Sequence, residues 1–366
     1  MNKLVLSNLI HRPLRSLISI VSIAAEVILI LIIVGLLMGI LNDNKQRQAG
    51  IGADAMVRPP GSSFISGVSG APISIKVGDV LRKVPHVVAV APVATQFTSE
   101  AVEVVYGIDL PSFEAMGGPF HYLEGGPFTG PDDILVDDYF SQSKKVHAGD
   151  TLKVLNHDFK VAGVVEHGKG GRKFMPIGTV QDLIGAPGKV SMFYIKLDDP
   201  KNVNAVVDAI KKVPGMENYY VLSLSEWLSL MTPSHLPGFK VFVDVVIGVS
   251  VCIGFIVIFQ SMYTAVMERT REIGILKSLG ATNLYIVNVV LRETILLALA
   301  GIAAGVALSF FLRMALVHHY PTIRIEITPD WILRGAGIAL ASALLGAIYP
   351  ALKAAHKDPI EALAYE

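Results

Sequence analysis

Cysteine is nearly absent from this chain, in which Cys252 is the single cysteine among 366 residues. A disulfide joins two cysteines, so no disulfide framework can form within the chain. The common structural zinc sites use two or more thiolates, and no histidine cluster here has metal-ligand spacing. The sequence therefore predicts no metal centre.

Charged residues are also scarce, at 17% of the chain, and their signs cancel to a net charge of zero. This balance gives no electrostatic reason to expect a nucleic-acid partner. Hydrophobic residues make up 52% of the chain, and the mean hydropathy is +0.54. Soluble proteins are less apolar than this, so we expect membrane-spanning segments and contact with membrane lipid.

Four apolar runs pass the length of about 20 residues that a spanning helix requires. These runs are Leu17–Leu41, Phe239–Ala265, Tyr285–Leu316 and Trp331–Tyr349. The first follows basic residues, as a signal peptide does, but its apolar run exceeds the roughly 7–15 residues of a signal-peptide core. We therefore expect it to remain as an anchor.

Basic residues indicate the orientation of these spans. If all four runs cross the membrane, one side carries Lys3, Arg12, Arg15, Arg269, Arg271, Lys277, Lys353 and Lys357. The opposite short loop, 317–330, carries only Arg324, and Arg313 lies near the end of the third run. Short basic loops stay in the cytoplasm, which predicts a multi-pass membrane protein with cytoplasmic termini. Residues 42–237 then form a domain on the opposite side of the membrane, between residues 1–41 and 238–366.

The segment 42–237 has the pattern of an α+β domain. The stretches "VPHVVAVAPVATQ" and "AVEVVYGIDL" read as strands, and "DDILVDDYFSQSKKVHAGDTLKVLNHDFKVAGVVEHG" reads as strand, short helix and a hairpin turning near Asn156-His157. "DPKNVNAVVDAIKKVP" has helical spacing, with Asp199 near its start. The Gly/Ser-rich residues 61–74 suggest a mobile loop. The predicted fold class is four transmembrane α-helices with a large α+β domain inserted between the first two.

One segment imitates a nucleotide-binding motif. "GVVEHGKG", residues 163–170, begins like a phosphate-binding loop, but Gly170 stands where the loop requires Ser or Thr. We expect a hairpin loop there instead. With no assembled catalytic site in the sequence, we expect this chain not to be an enzyme.

Small and acidic residues stand out within the apolar runs. Two glycine pairs, Gly35 with Gly39 and Gly301 with Gly305, allow another helix to approach closely, either within one subunit or at a dimer seam. Glu26 lies well inside the first run, where an ionised acid is costly. It should face protein or a water-filled cavity, with either a structural hydrogen bond or a role in transport.

The stretch "MERTREIGILKSLGAT" places charges between the second and third runs. We expect a coupling helix within 266–281 that is helical from Met267 to Leu279, with Gly280 as the stop. Ile273, Leu276 and Leu279 should lie near one another, with Ile275 alongside. Such an amphipathic helix is either a solvated surface element or a stiff contact for a cytoplasmic partner.

The same stretch resembles the signature of ABC transporter permeases of the FtsX/MacB/LolC-LolE superfamily. "NLIHRPLRSLISIVSIA" and "YPALKAAHKDPIEALAYE" are similar to the two ends of those permeases. "LEGGPFTGPDDILVDDYFSQSKKVHAGDTLKVLNHDFKVAGVVE" is similar to the MacB-like periplasmic core domain. The resemblance implies that the contact with an ATPase is formed by Glu268, Arg269, Arg271, Glu272, Gly274, Lys277, Gly280 and Ala281.

Further expectations follow from this resemblance. The permease itself would bind no cofactor, and a separate ABC ATPase subunit would bind ATP and Mg²⁺. A second permease copy or a paralogue would complete the transporter, and a periplasmic adaptor could join it. The implied function is mechanotransmission that drives efflux or extraction of a substrate from the membrane. Alternatives are a LolC/LolE-like lipoprotein-releasing subunit, an FtsX-like signalling permease, or a membrane-anchored sensor without an ATPase.

Overall fold

The structure is a computed structural model that describes residues 13–60, 72–98, 104–233, 235 and 238–358. Lys3, Arg12, most of the Gly/Ser-rich segment and the end of the C-terminal tail lie outside the described residues. The chain divides into two compact units. The helical unit comprises Met1–Gly39, Lys240–His318 and Ile325–Glu366, and the sheet unit comprises Ile40–Phe239 and His319–Arg324.

The described helices follow the predicted apolar runs and the short amphipathic segments. They are α1 (Pro13–Gly50), α2 (Val77–Leu81), α3 (Leu110–Gly117), α4 (Asp138–Lys144), α5 (Ile177–Leu183), α6 (Val203–Lys211), α7 (Leu224–Leu230), α8 (Phe239–Glu268), α9 (Thr270–Ser278), α10 (Asn283–His319) and α11 (Pro329–Ala355). Four of them, α1, α8, α10 and α11, are long and apolar enough to span a membrane. The four predicted spans are therefore present as helices.

Helix α1 continues well past the predicted end of its apolar run at Leu41 and stops only at Gly50. The extension is polar, but polarity alone does not end a helix. Asp43 and Arg47 are four residues apart and pair at 3.0 Å, a spacing that favours helix.

The strands of the sheet unit are as follows: β1 (Ala55–Arg58), β2 (Ile73–Ser74), β3 (Val87–Phe97), β4 (Val104–Ile108), β5 (Tyr122–Gly125), β6 (Asp133–Asp137), β7 (Thr151–Val154), β8 (His157–Val165), β9 (Lys173–Pro176), β10 (Lys189–Val190), β11 (Met192–Leu197) and β12 (Tyr220–Ser223). Ten of the described strands form one mixed sheet in the order β12-β1-β11-β3-β4-β9-β6-β8-β5, with β7 paired to β8. The pairs β4–β9 and β6–β8 are parallel, and the other pairs are antiparallel. This is the predicted α+β domain.

Several local predictions are confirmed. Strands β3 and β4 occupy the two Val-rich stretches, and β6, α4 and the β7–β8 hairpin follow in the predicted order. Leu155 and Asn156 form the hairpin turn with positive φ angles of 52° and 62°. Asp199 caps a short 3₁₀ turn just before α6 by accepting a hydrogen bond from the Lys201 amide.

The central strands of the sheet are buried on both faces, which accounts for their nearly continuous apolar sequences. Met56 and Tyr194 point into one core, whereas their neighbours Ala55, Val57 and Phe193 point into another. This alternation is the period-2 pattern of a strand applied to two apolar layers.

The helical unit packs around small residues on α11. Ala339, Ala343 and Ala347 recur every fourth residue, so they lie on one face of α11, and they are fully buried. They share a core with Ile23, Val27 and Leu31 of α1 and with residues of α8 and α10. Small side chains let helix backbones approach closely where no hydrophobic effect operates between them.

Candidate functional site

The charged stretch forms a separate short helix, α9, rather than one continuous helix from Met267. The preceding helix α8 ends at Glu268, and Arg269 has non-helical angles of φ −106° and ψ 16°. At the other end, Gly280 has φ 94°, a left-handed conformation that favours glycine and ends the helix. The predicted stop is therefore present, and the break at Arg269 is an additional feature.

The eight residues assigned to the ATPase contact do not share one surface. Glu268, Arg271, Glu272 and Gly280 are exposed, Arg269, Lys277 and Ala281 are half-buried, and Gly274 is buried. Thr270 and Ile273 are buried beside Gly274 on the inner face of α9. Only part of the eight-residue motif therefore lies on the exposed face of α9.

Arg269 is directed toward α10 rather than outward. Its Nη1 lies 3.0 Å from Oε2 of Glu293, and the two side chains are only 12% and 9% exposed. Salt weakens an ion pair that is buried away from water much less than it weakens a surface pair. This contact holds the start of α9 against α10.

Lys277 is likewise engaged within the chain. Its Nζ donates hydrogen bonds to the carbonyl oxygens of Ala355 at 2.7 Å and Lys357 at 2.8 Å. Ala355 is the last residue of α11, and the final carbonyls of a helix have no partner within the helix. A lysine at this end also complements the negative end of the helix dipole.

An exposed apolar surface that was not predicted from the sequence flanks the turn between α9 and α10. Leu279 and Leu284 are 80% and 79% exposed, and Ile275 is 42% exposed. We call these three residues the apolar tip. We predicted Leu279 beside Ile273, but Ile275 and Leu279 are four residues apart and share the outer face of α9. That spacing was the signal available in the sequence.

A small cavity lies between the end of α8, α9 and the start of α10. It is lined by Met262, Ala265, Val266, Arg269, Glu272, Ile273, Leu276, Ile286, Val289, Val290 and Glu293. Its volume is about 60 Å³, far below the roughly 300 Å³ at which ligand pockets begin. It therefore has the size of a packing defect beneath α9 rather than that of a substrate site.

Glu26 is buried within the helical unit, where it is only 2% exposed. The hydroxyl oxygen of Ser342 on α11 lies 2.9 and 3.0 Å from its two carboxyl oxygens. Gly254 on α8 provides the space, because a Cβ atom there would collide with the carboxyl group. Of the two predicted roles for Glu26, the structural hydrogen bond is present.

The glycine pairs pack within one chain. A Cβ at Gly301 would lie 2.7 Å from Ile23, and one at Gly305 would lie 2.9 Å from Val27, both on α1. Gly35 accepts a hydrogen bond from the Glu326 amide, and a Cβ at Gly35 would meet the carbonyl of Glu326 at 3.0 Å. Gly39 is buried. Gly35 thus packs against Glu326 of its own chain, and the alternative of a dimer seam stays a prediction.

The segment that imitates a phosphate-binding loop connects β8 to β9. It is not the predicted hairpin loop, because β6 lies between these two strands in the sheet. Lys169 donates hydrogen bonds to the carbonyls of Gly118 and Pro119. Burial lowers the pKa of Lys169, as expected for a cation held away from water. In this arrangement the Lys169 ammonium is engaged by backbone carbonyls rather than directed to a phosphate.

An ion-pair cluster lies within the sheet unit. Arg172 contacts Asp137 through Nη1 and Asp43 through Nη2, each at 3.1 Å, and it also donates to the carbonyl of Thr322. Arg47 pairs with Asp43 at 3.0 Å. Burial raises the pKa of Asp137 to about 6, against the opposing effect of Arg172, whose charge is shared with Asp43. One guanidinium therefore joins α1, the end of β6 and the segment before α11.

Comparison with known proteins identifies two domains in the chain. The family profile described as MacB-like periplasmic core domain matches residues 16–213, and that described as FtsX-like permease C-terminal matches residues 245–359. The first covers more than half of the sequence, which establishes the family.

Individual relatives are similar at low identity. A macrolide export ATP-binding/permease protein MacB of Shewanella sp. is 23% identical over 361 residues, covering 89% of this chain and 55% of the relative. An uncharacterised ABC transporter permease of Methanocaldococcus jannaschii is 28% identical over 235 residues, covering 60% of this chain and 58% of the relative. The chain thus spans less than two thirds of the length of these curated relatives.

Among solved structures, the periplasmic region of MacB from Actinobacillus actinomycetemcomitans matches with a TM-score of 0.38 and 18% sequence identity, covering 49% of this chain and 92% of that one. The two profile matches extend over both units. The chain belongs to the family of ABC transporter permeases that combine a MacB-like periplasmic core domain with an FtsX-like permease domain.

Proposed function

We propose that this ABC transporter permease works by mechanotransmission. An ATPase subunit presses on α9, and the resulting movement of the helical unit drives movement of the sheet unit. The observation that supports this proposal is the apolar tip, where Leu279 and Leu284 are 80% and 79% exposed, together with the exposed charges of Arg271 and Glu272 on α9. Exposed apolar patches with polar rims mark contacts with a protein or a membrane, and we assign this one to the ATPase.

We assign ATP and Mg²⁺ to an ABC ATPase partner rather than to the residues of this sequence. The sequence holds no complete phosphate-binding loop, and the lysine of its one partial motif contacts backbone carbonyls. The permease then contributes no catalytic residue, and its part in the cycle is to receive and pass on force. A second permease copy or a paralogue completes the complex.

Among the possible functions of the transporter, we favour efflux of a substrate. Relatives from Shewanella sp. and Neisseria meningitidis are named as macrolide export proteins, and they align with 89% and 96% of this chain. An adaptor protein that co-purifies from native membranes would support efflux. Co-purification of a cell-wall hydrolase or of a lipoprotein would instead favour signalling or lipoprotein release.

The distribution of basic residues supports an orientation that we also propose. We place the protein in the bacterial inner membrane, with both termini and α9 in the cytoplasm and residues 42–237 in the periplasm. A cysteine at the exposed Lys212 of the sheet unit should react with an impermeant thiol reagent in intact cells, and one at Ser278 should not. The reverse labelling would overturn this orientation.

The ATPase contact is tested with Leu279→Ala combined with Leu284→Ala. Truncating a hot-spot residue typically costs about 2 kcal/mol or more, so affinity for the ATPase should fall at least tenfold. The measurement is titration of the purified ATPase against the permease in nanodiscs. The matched control is Leu123→Ala, which removes a leucine that is 51% exposed on β5 of the sheet unit. Equal affinities for wild type and the double variant would contradict the proposal.

A further inference from the structure

The attachment of α9 to its neighbouring helices determines where a force on α9 is delivered. Helix α8 does not continue into α9, because Arg269 interrupts the helical backbone between them with φ −106° and ψ 16°. A local interruption of this kind is where a helix bends most readily. We therefore expect the angle between α8 and α9 to change at Arg269.

The start of α9 is attached to α10. The guanidinium of Arg269 lies 3.0 Å from Oε2 and 3.4 Å from Oε1 of Glu293, in a position that is largely shielded from water. A carboxylate in such a place depends on its cation, because without it a buried charge remains uncompensated. The pair therefore resists separation of α9 from α10.

The end of α9 is attached to α11. The ammonium of Lys277 donates to the carbonyls of Ala355 and Lys357, at the C-terminal end of α11. Charge-assisted hydrogen bonds of this kind are stronger than neutral ones. Two different side chains thus connect the two ends of α9 to two different helices.

Apolar packing reinforces these contacts. Ile273 of α9 shares a buried cluster with Ile286 of α10 and with Ala354 and Ala355 of α11. Val266 at the end of α8 also reaches this cluster, and the small cavity beneath α9 is lined by residues of α8, α9 and α10 but by none of α11. The packing of α9 is therefore more complete against α11.

We infer that Arg269 and Lys277 are positioning residues that bind α9 to α10 and α11 as one mechanical body, with the joint at Arg269 toward α8. We call Arg269–Glu293 and Lys277 with the α11 carbonyls the two clamps. This inference rests on the proposed function for the origin of the force. The family resemblance implies that Arg269 and Lys277 contact the ATPase. We assign them instead to the transmission of force into the third and fourth spans.

The clamps are tested first without any partner, by hydrogen–deuterium exchange of the full-length permease in nanodiscs. Arg269→Gln, Glu293→Gln and Lys277→Gln should each increase amide exchange across residues 270–281 at least tenfold. The matched control is Arg292→Gln, because Arg292 is exposed, precedes Glu293 and bonds to Asn288 on its own helix. Unchanged exchange in the three clamp variants would overturn the inference.

A double-mutant cycle guards against general misfolding. Replacing both partners, as Arg269→Met with Glu293→Met, leaves no unpaired buried charge. Exchange in the double variant should be slower than in either single variant. If it equals the product of the two single effects, the residues do not act as a pair and the inference fails.

The second measurement separates attachment from ATPase contact. In titrations with the ATPase, the clamp variants should bind within about twofold of wild type but lose at least fivefold of the maximal stimulation of ATP hydrolysis. The tip variant should lose affinity instead. A loss of affinity in the clamp variants would return Arg269 and Lys277 to the contact surface. If wild type binds no ATPase, the proposed function fails, and the exchange experiment still decides the clamps.

Discussion

The carboxyl group of Glu26 is accommodated because Gly254 has no side chain. Gly254 and Gly248 lie on the same helix, but a Cβ at Gly254 would collide with Glu26, whereas nothing lies within 4 Å of one at Gly248. The two glycines therefore form a matched pair. Comparing alanine substitutions at these two positions separates the destabilisation caused by crowding Glu26 from the general effect of alanine in a helix.

We predict opposite effects of the same substitution at these two positions. Gly254→Ala should destabilise the protein by about 1–3 kcal/mol, because the added methyl displaces Glu26 from Ser342. Gly248→Ala should be neutral or stabilise by up to about 1 kcal/mol through helix propensity. Thermal unfolding in detergent measures both. Equal shifts in Tm would show that Glu26 is not held as described.

A pH dependence is expected from Asp137, which is 1% exposed. Its pKa in the folded protein is about 6, above the usual value, so between about pH 4 and 6 the folded state holds a proton that the unfolded state has lost. Stability should therefore fall as the pH rises through this window, by at most about 3 kcal/mol.

Asp137→Asn removes this titration and provides the reference. The stability of wild type relative to Asp137→Asn should decrease from pH 4.5 to 6.5, as measured by denaturant unfolding of the full chain. An increase over the same range would mean that the Arg172 guanidinium outweighs burial and lowers the pKa of Asp137.

At the level of secondary-structure elements, the length of the apolar runs and the periodicity of apolar residues predicted most of the fold. The four spans, the Val-rich strands and the β7–β8 hairpin were predictable because their signals are local. The order of strands in the sheet was not, because pairing such as β4 with β9 depends on contacts distant in sequence. For this reason the β8–β9 connection was mistaken for a hairpin loop.

The candidate site was predictable in position but not in side-chain direction. The sequence locates α9 and its glycine stop, yet it does not reveal that Arg269 turns toward Glu293, a residue 24 positions away. The outward direction of Leu279 depends on where α9 actually begins. The break at Arg269 has no strong sequence signal, since neither glycine nor proline stands there.

The glycines of α10 provide a prediction at the element scale. Gly305→Val should destabilise the contact between α10 and α1, because a Cβ at Gly305 already lies 2.9 Å from Val27 and 2.9 Å from the carbonyl oxygen of Ala24. Tm should fall while the oligomeric state, measured by light scattering, stays constant. Gly337→Val on α11 is the control, with open space at its Cβ. Dissociation of subunits without a change in Tm would support a dimer seam instead.

At the scale of the whole molecule, we propose that the apolar tip receives the ATPase, the clamps pass force into α10 and α11, and the sheet unit performs the external work. Helix α1 contributes to both units, since it runs without interruption from Pro13 to Gly50 across the division at Gly39.

The most direct test of the central claim is an electron-spin distance measurement between two permease copies in the ATPase complex. Spin labels are attached at Lys212→Cys, an exposed position of the sheet unit, in a Cys252→Ser background. Mechanotransmission predicts that the distance distribution changes when a non-hydrolysable ATP analogue saturates the ATPase, and that the change is lost with Leu279→Ala and Leu284→Ala. Identical distributions with and without the analogue, in a complex shown to bind it, would contradict the account.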